Sequence, residues 1–171
     1  VPRLSGQVDL LPVLLPGGLA AQAAEGRLLR IRGQLRSFNN RSGVGSRLVL
    51  TVYAQELQPG LDEPQNQITL SGALCKPPIF RRTPLGRSIC DLMLAVPRRY
   101  GRADYLPVIA WGQLAVKASR LRVGDPLALE GRVQSRTYHK TLESGETEER
   151  TAYEVSMMRL LDPERPGEPE S

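Results

Sequence analysis

Apolar and polar residues alternate along much of this chain with the period of two that half-buried strands show. In residues 27–38, RLLRIRGQLRSF, Leu29, Ile31 and Leu35 fall on one face and Arg30, Arg32 and Arg36 on the other. RLVLTVYAQEL, 47–57, alternates likewise, and the NNRSGVGS between the two runs predicts a loop. Residues 66–74, NQITLSGAL, set Ile68, Leu70 and Leu74 on one face. Residues 87–95 read as the next strand, where an outward Asp91 places Cys90, Leu92, Leu94 and Val96 inward. Further strands are expected at 104–110, 126–137 and 151–161, with a polar, glutamate-rich hairpin tip at 142–150. Helices are few: an alanine-rich candidate after Ala20, ending near Gly26, and one from about Gly112 to Leu121. KPPIFRRTPLG, 76–86, reads as a basic loop, and a hairpin centred on residues 82 and 83 would bring Cys75 opposite Cys90.

From residue 66 onward the order is three strands, a helix and a hairpin, which is the order of the five-stranded Greek-key barrel known as the OB-fold. Part of it occurs twice. Shifting 1–20, VPRLSGQVDLLPVLLPGGLA, by 95 positions lays it on 96–115, VPRRYGRADYLPVIAWGQLA, with eleven of twenty positions identical. The matches include Pro2/Pro97, Gly6/Gly101, Asp9/Asp104, Pro12/Pro107, Gly17/Gly112 and Ala20/Ala115. A later segment aligns at an offset of 98, Gly33 on Gly131 and Ser37 on Ser135. The chain therefore reads as a duplication. A first copy is expected over 1–57, a linker over 58–65, a second and complete copy over 66–161, and a disordered acidic tail over 162–171. The first copy has no counterpart of the two strands that precede Val96, so truncation or strands lent by a partner are the alternatives. The expected fold class is all-β: two OB-fold barrels, the first lacking its N-terminal strands.

Charge and composition then point to a partner. The 171 residues carry a formal net charge of +5. The tail from Asp162 contributes −3, which leaves +8 on the body, and a basic body suits a polyanion. Aromatics are only 5% of the chain, yet six of the eight lie between Phe80 and Tyr153. Between 96 and 138, Tyr100, Tyr105, Trp111 and Tyr138 are interleaved with Arg98, Arg99, Arg102, Arg132 and Arg136. The basic loop adds Lys76, Arg81, Arg82 and Arg87. Cations for phosphates and rings for bases are the ingredients of a groove for single-stranded nucleic acid. Core packing is the rival for each ring: Tyr105 and Trp111 share a strand face with Pro107 and Ile109, and Tyr138 follows Arg136 at the base of a hairpin.

No enzyme is legible. His139 is the only histidine, which leaves no histidine-centred triad and no multi-histidine metal site. Cys75 and Cys90 lack metal-ligand spacing and read as buried, reduced thiols. Gly17–Gly18 and Gly43–Gly45 lack the lysine and the strand–loop–helix setting of a phosphate loop. Asp9 and Asp104 read as turn caps. Hence no cofactor, metal or small-molecule substrate is expected. No apolar run approaches the roughly 20 residues of a membrane helix and no signal peptide is evident, so a cytoplasmic protein without a membrane partner is expected.

The second copy also carries motifs in a fixed order: N-x-[apolar]-x-L-x-G at 66–72, TPLGR at 83–87, DYLPVIAWGQLA at 104–115, VGDPLALEGRVQSR at 123–136 and AYEVSM at 152–157. In these it resembles the bacterial single-stranded DNA-binding protein family, over nearly all of 66–161. The resemblance implies four base-stacking positions, which fall on Tyr100, Tyr105, Trp111 and Tyr138. Their counterparts in the first copy are Ser5, Leu10, Pro16 and Asn40, so there every stacking ring has gone. Sequence-tolerant binding of single-stranded DNA by a homo-oligomer is expected, in replication, repair or recombination, with the second barrel doing most of the binding. Nothing visible reads a 2′-hydroxyl, which leaves RNA open. The alternative is an oligomeric interaction module of a replication-restart (primosome) assembly. The family's acidic tip ends in an apolar terminus that PERPGEPES lacks, so recruitment through such a tip is not expected.

Overall fold

The computed structural model describes residues 1–42, 47–60 and 63–162. The rest of the glycine loop (43–46), two linker positions (61 and 62) and the tail from 163 lie outside the described residues. The chain divides into two compact units: Val1–Asn66 with Gln134–Tyr153, and Gln67–Val133 with the chain from Glu154 on.

In the first unit the chain forms β1 (Val13–Leu14), α1 (Gly17–Ala20), β2 (Leu29–Asn39) and β3 (Leu48–Pro59). They make a sheet ordered β1-β3-β2, with β1 parallel and β2 antiparallel to β3. The alternation in β2 and β3 marks both strands, and Leu50, Ala54 and Leu57 supply buried positions. Two expectations change. The helix ends at Ala20 rather than following it, and the chain beyond it turns at residues 21–22 and 25–26, where Gly26 has φ 80°. Strand β3 also runs two residues into the expected linker, pairing Pro59 with Leu29.

The second unit is built on β4 (Ile68–Leu74), β5 (Ile79–Arg82), β6 (Ser88–Pro97), β7 (Ala103–Trp111), α2 (Gln113–Ala118), β8 (Pro126–Thr141) and β9 (Thr147–Leu161). Strand β4 pairs with both β8 and β6, β6 with β7, β7 in parallel with β9, and β9 neighbours β8. The ring β4-β6-β7-β9-β8-β4 is closed, and α2 lies between β7 and β8 along the chain. This is the OB-fold topology expected of the second copy. Cross-strand pairs Leu92↔Val108, Leu94↔Leu106 and Leu70↔Leu129 fill its interior.

The basic loop is not wholly a loop. Its residues Ile79–Arg82 form β5 on the edge of β6, with Arg82 opposite Ser88 and the turn closed by the Thr83 N–H to the Arg87 carbonyl at 2.9 Å. Gly86, at φ 81°, supplies the left-handed position this turn requires. The hairpin is therefore centred near Leu85 instead of residues 82 and 83, which separates the cysteines. Cys75 donates from its N–H to the Met93 carbonyl, whereas Cys90 lies between Phe80 and Ala110. Burial pushes the Cys90 thiol pKa up, with the Asp91 charge adding to it, so this thiol is inert in the folded protein. The second hairpin tip is shorter than expected, because β9 begins at Thr147 and the turn closes from the Leu142 N–H to the Glu146 carbonyl at 2.8 Å. Tyr138 thus stands near the far end of a long strand, not at the base of a hairpin.

The strand pairing has the same form in the two units. Val13 pairs in parallel with Val52 as Val108 does with Val155, and the order β1-β3-β2 repeats β7-β9-β8. A Cβ on Gly33 would collide with the Tyr53 carbonyl oxygen, and one on Gly131 with that of Ser156. The two glycines do the same thing in both copies. Among the described residues the first unit has no counterparts of β4 and β6.

Candidate nucleic-acid interface

Register sorts the side chains of β5, β6 and β7 into two faces, since residues directly opposite each other point the same way. One face lines the barrel. The other carries the rows Arg81–Ile89–Trp111, Ile79–Asp91–Ile109 and Ala95–Tyr105. Trp111 and Tyr105 therefore share the outer face of β7 with Arg81 of β5. Ile109 between them is buried and Pro107 half-buried, while Tyr105 remains 49% and Trp111 39% exposed. The core reading thus fits the companions and not the rings. Arg81 is engaged: its Nε donates to Asp91 Oδ2 at 2.9 Å, so a phosphate there must compete with a carboxylate.

Tyr100 stands apart, on a single 3-10 turn (Arg99–Gly101) between β6 and β7. It is 98% exposed and is the only non-glycine residue with positive φ, 68°, among the described residues. That conformation costs an L-residue about 1–2 kcal/mol. The turn is closed by the Arg98 N–H to the Arg102 carbonyl at 2.6 Å. Arg98 also forks onto Asp104: Nε donates to Oδ2 at 2.7 Å and the terminal nitrogen to Oδ1. The first copy repeats this. Arg3 Nε donates to Asp9 Oδ2 at 2.7 Å, and the Arg3 N–H to the Gln7 carbonyl at 2.7 Å. The two aspartates are thus ion-paired anchors of a turn. The recurring R-x5-D spacing in both copies is the signal that would have found them.

Asp9 has further partners. Its Oδ1 accepts from the Ser135 N–H at 2.8 Å and from the Ser135 hydroxyl at 3.0 Å. The Arg3 guanidinium, with Ser135 assisting against burial, holds the Asp9 carboxyl well below the usual carboxylate range. A carboxyl pKa depressed on folding stabilises the fold above its unfolded value, and that contribution is lost as pH falls through the folded value. Asp9→Asn should therefore cost about 3 kcal/mol near neutrality. The gap to the parent protein should narrow below the unfolded carboxylate pKa of about 3.9. Urea unfolding at both pH values measures it, and a gap that does not change with pH would contradict the ion pair.

The remaining cations are placed as follows. Arg99, Arg102, Arg82 and Arg87 are exposed, on the Tyr100 turn and on the β5–β6 hairpin. Arg132 is half-buried on β8, with an Nε that is buried and makes no hydrogen bond. Arg136 and Tyr138 occupy alternate positions of β8, the guanidinium 5.9 Å from the ring centroid. Tyr138 is half-buried and belongs to the first unit, the other three rings to the second. In the first unit, Arg36 stacks over Tyr53 at 4.0 Å. Sequence reasoning also passed over Phe80, an exposed ring on β5 next to Arg81 and Arg82; the same ring-beside-cation signal that marked Tyr100 marks it.

The sequence profile of the Single-strand binding protein family matches residues 65–161, which contain the whole of β4 to β9. The chain belongs to that family. Among its relatives is the single-stranded DNA-binding protein of Thermus aquaticus, 41% identical over 113 residues, an alignment covering 63% of this chain and 41% of that protein. The single-stranded DNA-binding protein of Thermus thermophilus is 39% identical over 112 residues, with coverage of 63% and 41%. The chain thus aligns with about two fifths of the length of these family members. Among solved structures, a deletion mutant of the Thermus aquaticus single-stranded DNA binding protein superimposes with a TM-score of 0.71 at 28% identity, covering 90% of this chain and 69% of that one. Within this chain's described residues, no helix is long and apolar enough to cross a membrane, and no group of three metal-ligating side chains is gathered.

Proposed function

We propose that this protein binds single-stranded DNA with little regard to sequence, by stacking bases on rings and pairing phosphates with cations, without chemical turnover. The observation that carries the reading is the exposure of Tyr100, Tyr105 and Trp111 on a family barrel whose other apolar strand residues are largely buried. A ring held outward against its hydrophobic preference suits a flat apolar partner, and a nucleobase is one. Tyr138 with Arg136, in the first unit, is a ring beside a cation of the same kind. Arg82, Arg87, Arg99, Arg102 and Arg132 supply backbone charge, together with Arg81 where a phosphate displaces Asp91. Membership of the family supports a role in replication, repair or recombination, in the cytoplasm and as a homo-oligomer.

Trp111 fluorescence tests this directly. Titration with oligo-dT at low salt should quench the indole emission, because stacking on a base does so. The logarithm of affinity should fall with the logarithm of salt by about 0.7 per phosphate contacted. A folded protein whose emission does not change at saturating oligonucleotide would remove Trp111 from the interface. A second reading, an interaction module in a replication-restart assembly, is favoured by exposed Leu10, Leu14 and Phe38 in the first unit. It requires partner binding that survives loss of DNA binding.

A further inference from the structure

We propose that Arg98 and Asp104 are positioning residues for Tyr100: their ion pair fixes the turn that holds this ring out toward single-stranded nucleic acid, and the Arg98 guanidinium is not itself a phosphate ligand. The inference rests on the binding function proposed above. Its first support is the fork: two nitrogens of Arg98 are directed at the carboxylate of the buried Asp104. A planar guanidinium matched to a carboxylate in this way fixes direction as well as distance. The second is closure of the turn by the Arg98 N–H on the Arg102 carbonyl, which leaves only residues 99–101 between the held ends. Tyr100 is at the apex, left-handed and almost wholly exposed. A bulky side chain stays in that conformation only where its surroundings over-determine it, and such positions gather at ligand-binding sites.

The first copy is the internal control. It has the same ion pair, Arg3 with Asp9, the same closure and a glycine with positive φ, Gly6 at 85° against Gly101 at 75°. Ser5 replaces Tyr100 there and has no positive φ. The clamp is common to both copies; the strained apex occurs only where the apex residue carries a ring. A clamp that frames the turn and a ring that exploits it are therefore separable, and substitution can separate them.

The experiment measures equilibrium binding of a labelled oligo-dT across a salt series. It uses the whole protein and Tyr100→Ala, Arg98→Gln, Arg98→Lys, Asp104→Asn and their doubles with Tyr100→Ala, with thermal unfolding followed in parallel. Tyr100→Ala should weaken binding at least about fivefold. Arg98→Gln, Arg98→Lys and Asp104→Asn should each weaken it about three- to tenfold, and by less than about twofold once Tyr100 is already alanine. The salt slope should be the same in Arg98→Gln as in the parent. Were Arg98 a phosphate ligand, that slope would shrink by about 0.7, and Asp104→Asn, by freeing the guanidinium, would strengthen binding. Either of those results, or full additivity with Tyr100→Ala, overturns the inference and leaves the binding function standing. No change in Tyr100→Ala itself counts against this ring's part in the binding function. Arg98→Lys and Asp104→Asn keep the question open to measurement if Arg98→Gln does not fold, and loss of affinity that tracks unfolding alone rejects positioning.

Discussion

Replacing Tyr100, Tyr105 and Trp111 together by alanine should weaken oligo-dT binding by at least about 100-fold, while leaving the fold intact. Each base–ring stack is worth about 1–3 kcal/mol by alanine substitution, so three lost stacks amount to about 3 kcal/mol at the low end. The fold should tolerate the change because all three rings are exposed and none belongs to the barrel interior, which Leu92, Leu94, Leu106 and Val108 fill. The cations remain, and the residual binding should be steeply salt-dependent. Fluorescence anisotropy with a labelled oligonucleotide, alongside circular dichroism, measures both. A loss below about tenfold in a folded triple variant would mean that charge, not stacking, dominates.

A large loss of stability is expected from a side chain at Gly131. A Cβ there would meet the Ser156 carbonyl oxygen, with the Ser156 carbonyl carbon at 3.1 Å and a Val155 methyl at 3.2 Å, so backbone rather than a flexible side-chain end would have to move. Gly131→Ala should cost about 3 kcal/mol. Gly33→Ala, which meets the Tyr53 carbonyl in the first unit, should be similar in kind. Gly17→Ala is the control: nothing lies within 4 Å of its added Cβ, and the change should be within about 0.5 kcal/mol. Urea midpoints of the three variants decide it, and a near-neutral Gly131→Ala would mean that β8 and β9 can part at this point without loss.

Local patterning and the duplication were legible together, since each depends on residues close in sequence or on direct comparison of two stretches. Alternation in 27–38 and 66–74 marks β2 and β4, and the 95-residue offset lays β1 on Val108–Ile109 of β7. The rings at 100, 105 and 111 were legible for a related reason. A period of two puts Tyr105 and Trp111 on one face, and arginines flank Tyr100. Strand β5 was not: its four residues are all exposed, carry no alternation and sit among prolines, so pairing with β6 is what makes it a strand.

By itself, then, the sequence determined the five barrel strands of the second unit other than β5, the internal repeat between 1–20 and 96–115, and the ring-plus-cation composition of the second stretch, because hydrophobic periodicity and composition are local properties. Tertiary structure alone decided which charges are already committed. Arg81 to Asp91 is a pair that strand register creates, and Asp9 meets Ser135 across 126 positions of chain. It also decided that the apex tyrosine takes a left-handed backbone. An electrostatic or conformational choice of that kind depends on what the fold brings within a few ångströms, and no periodicity along the chain encodes it.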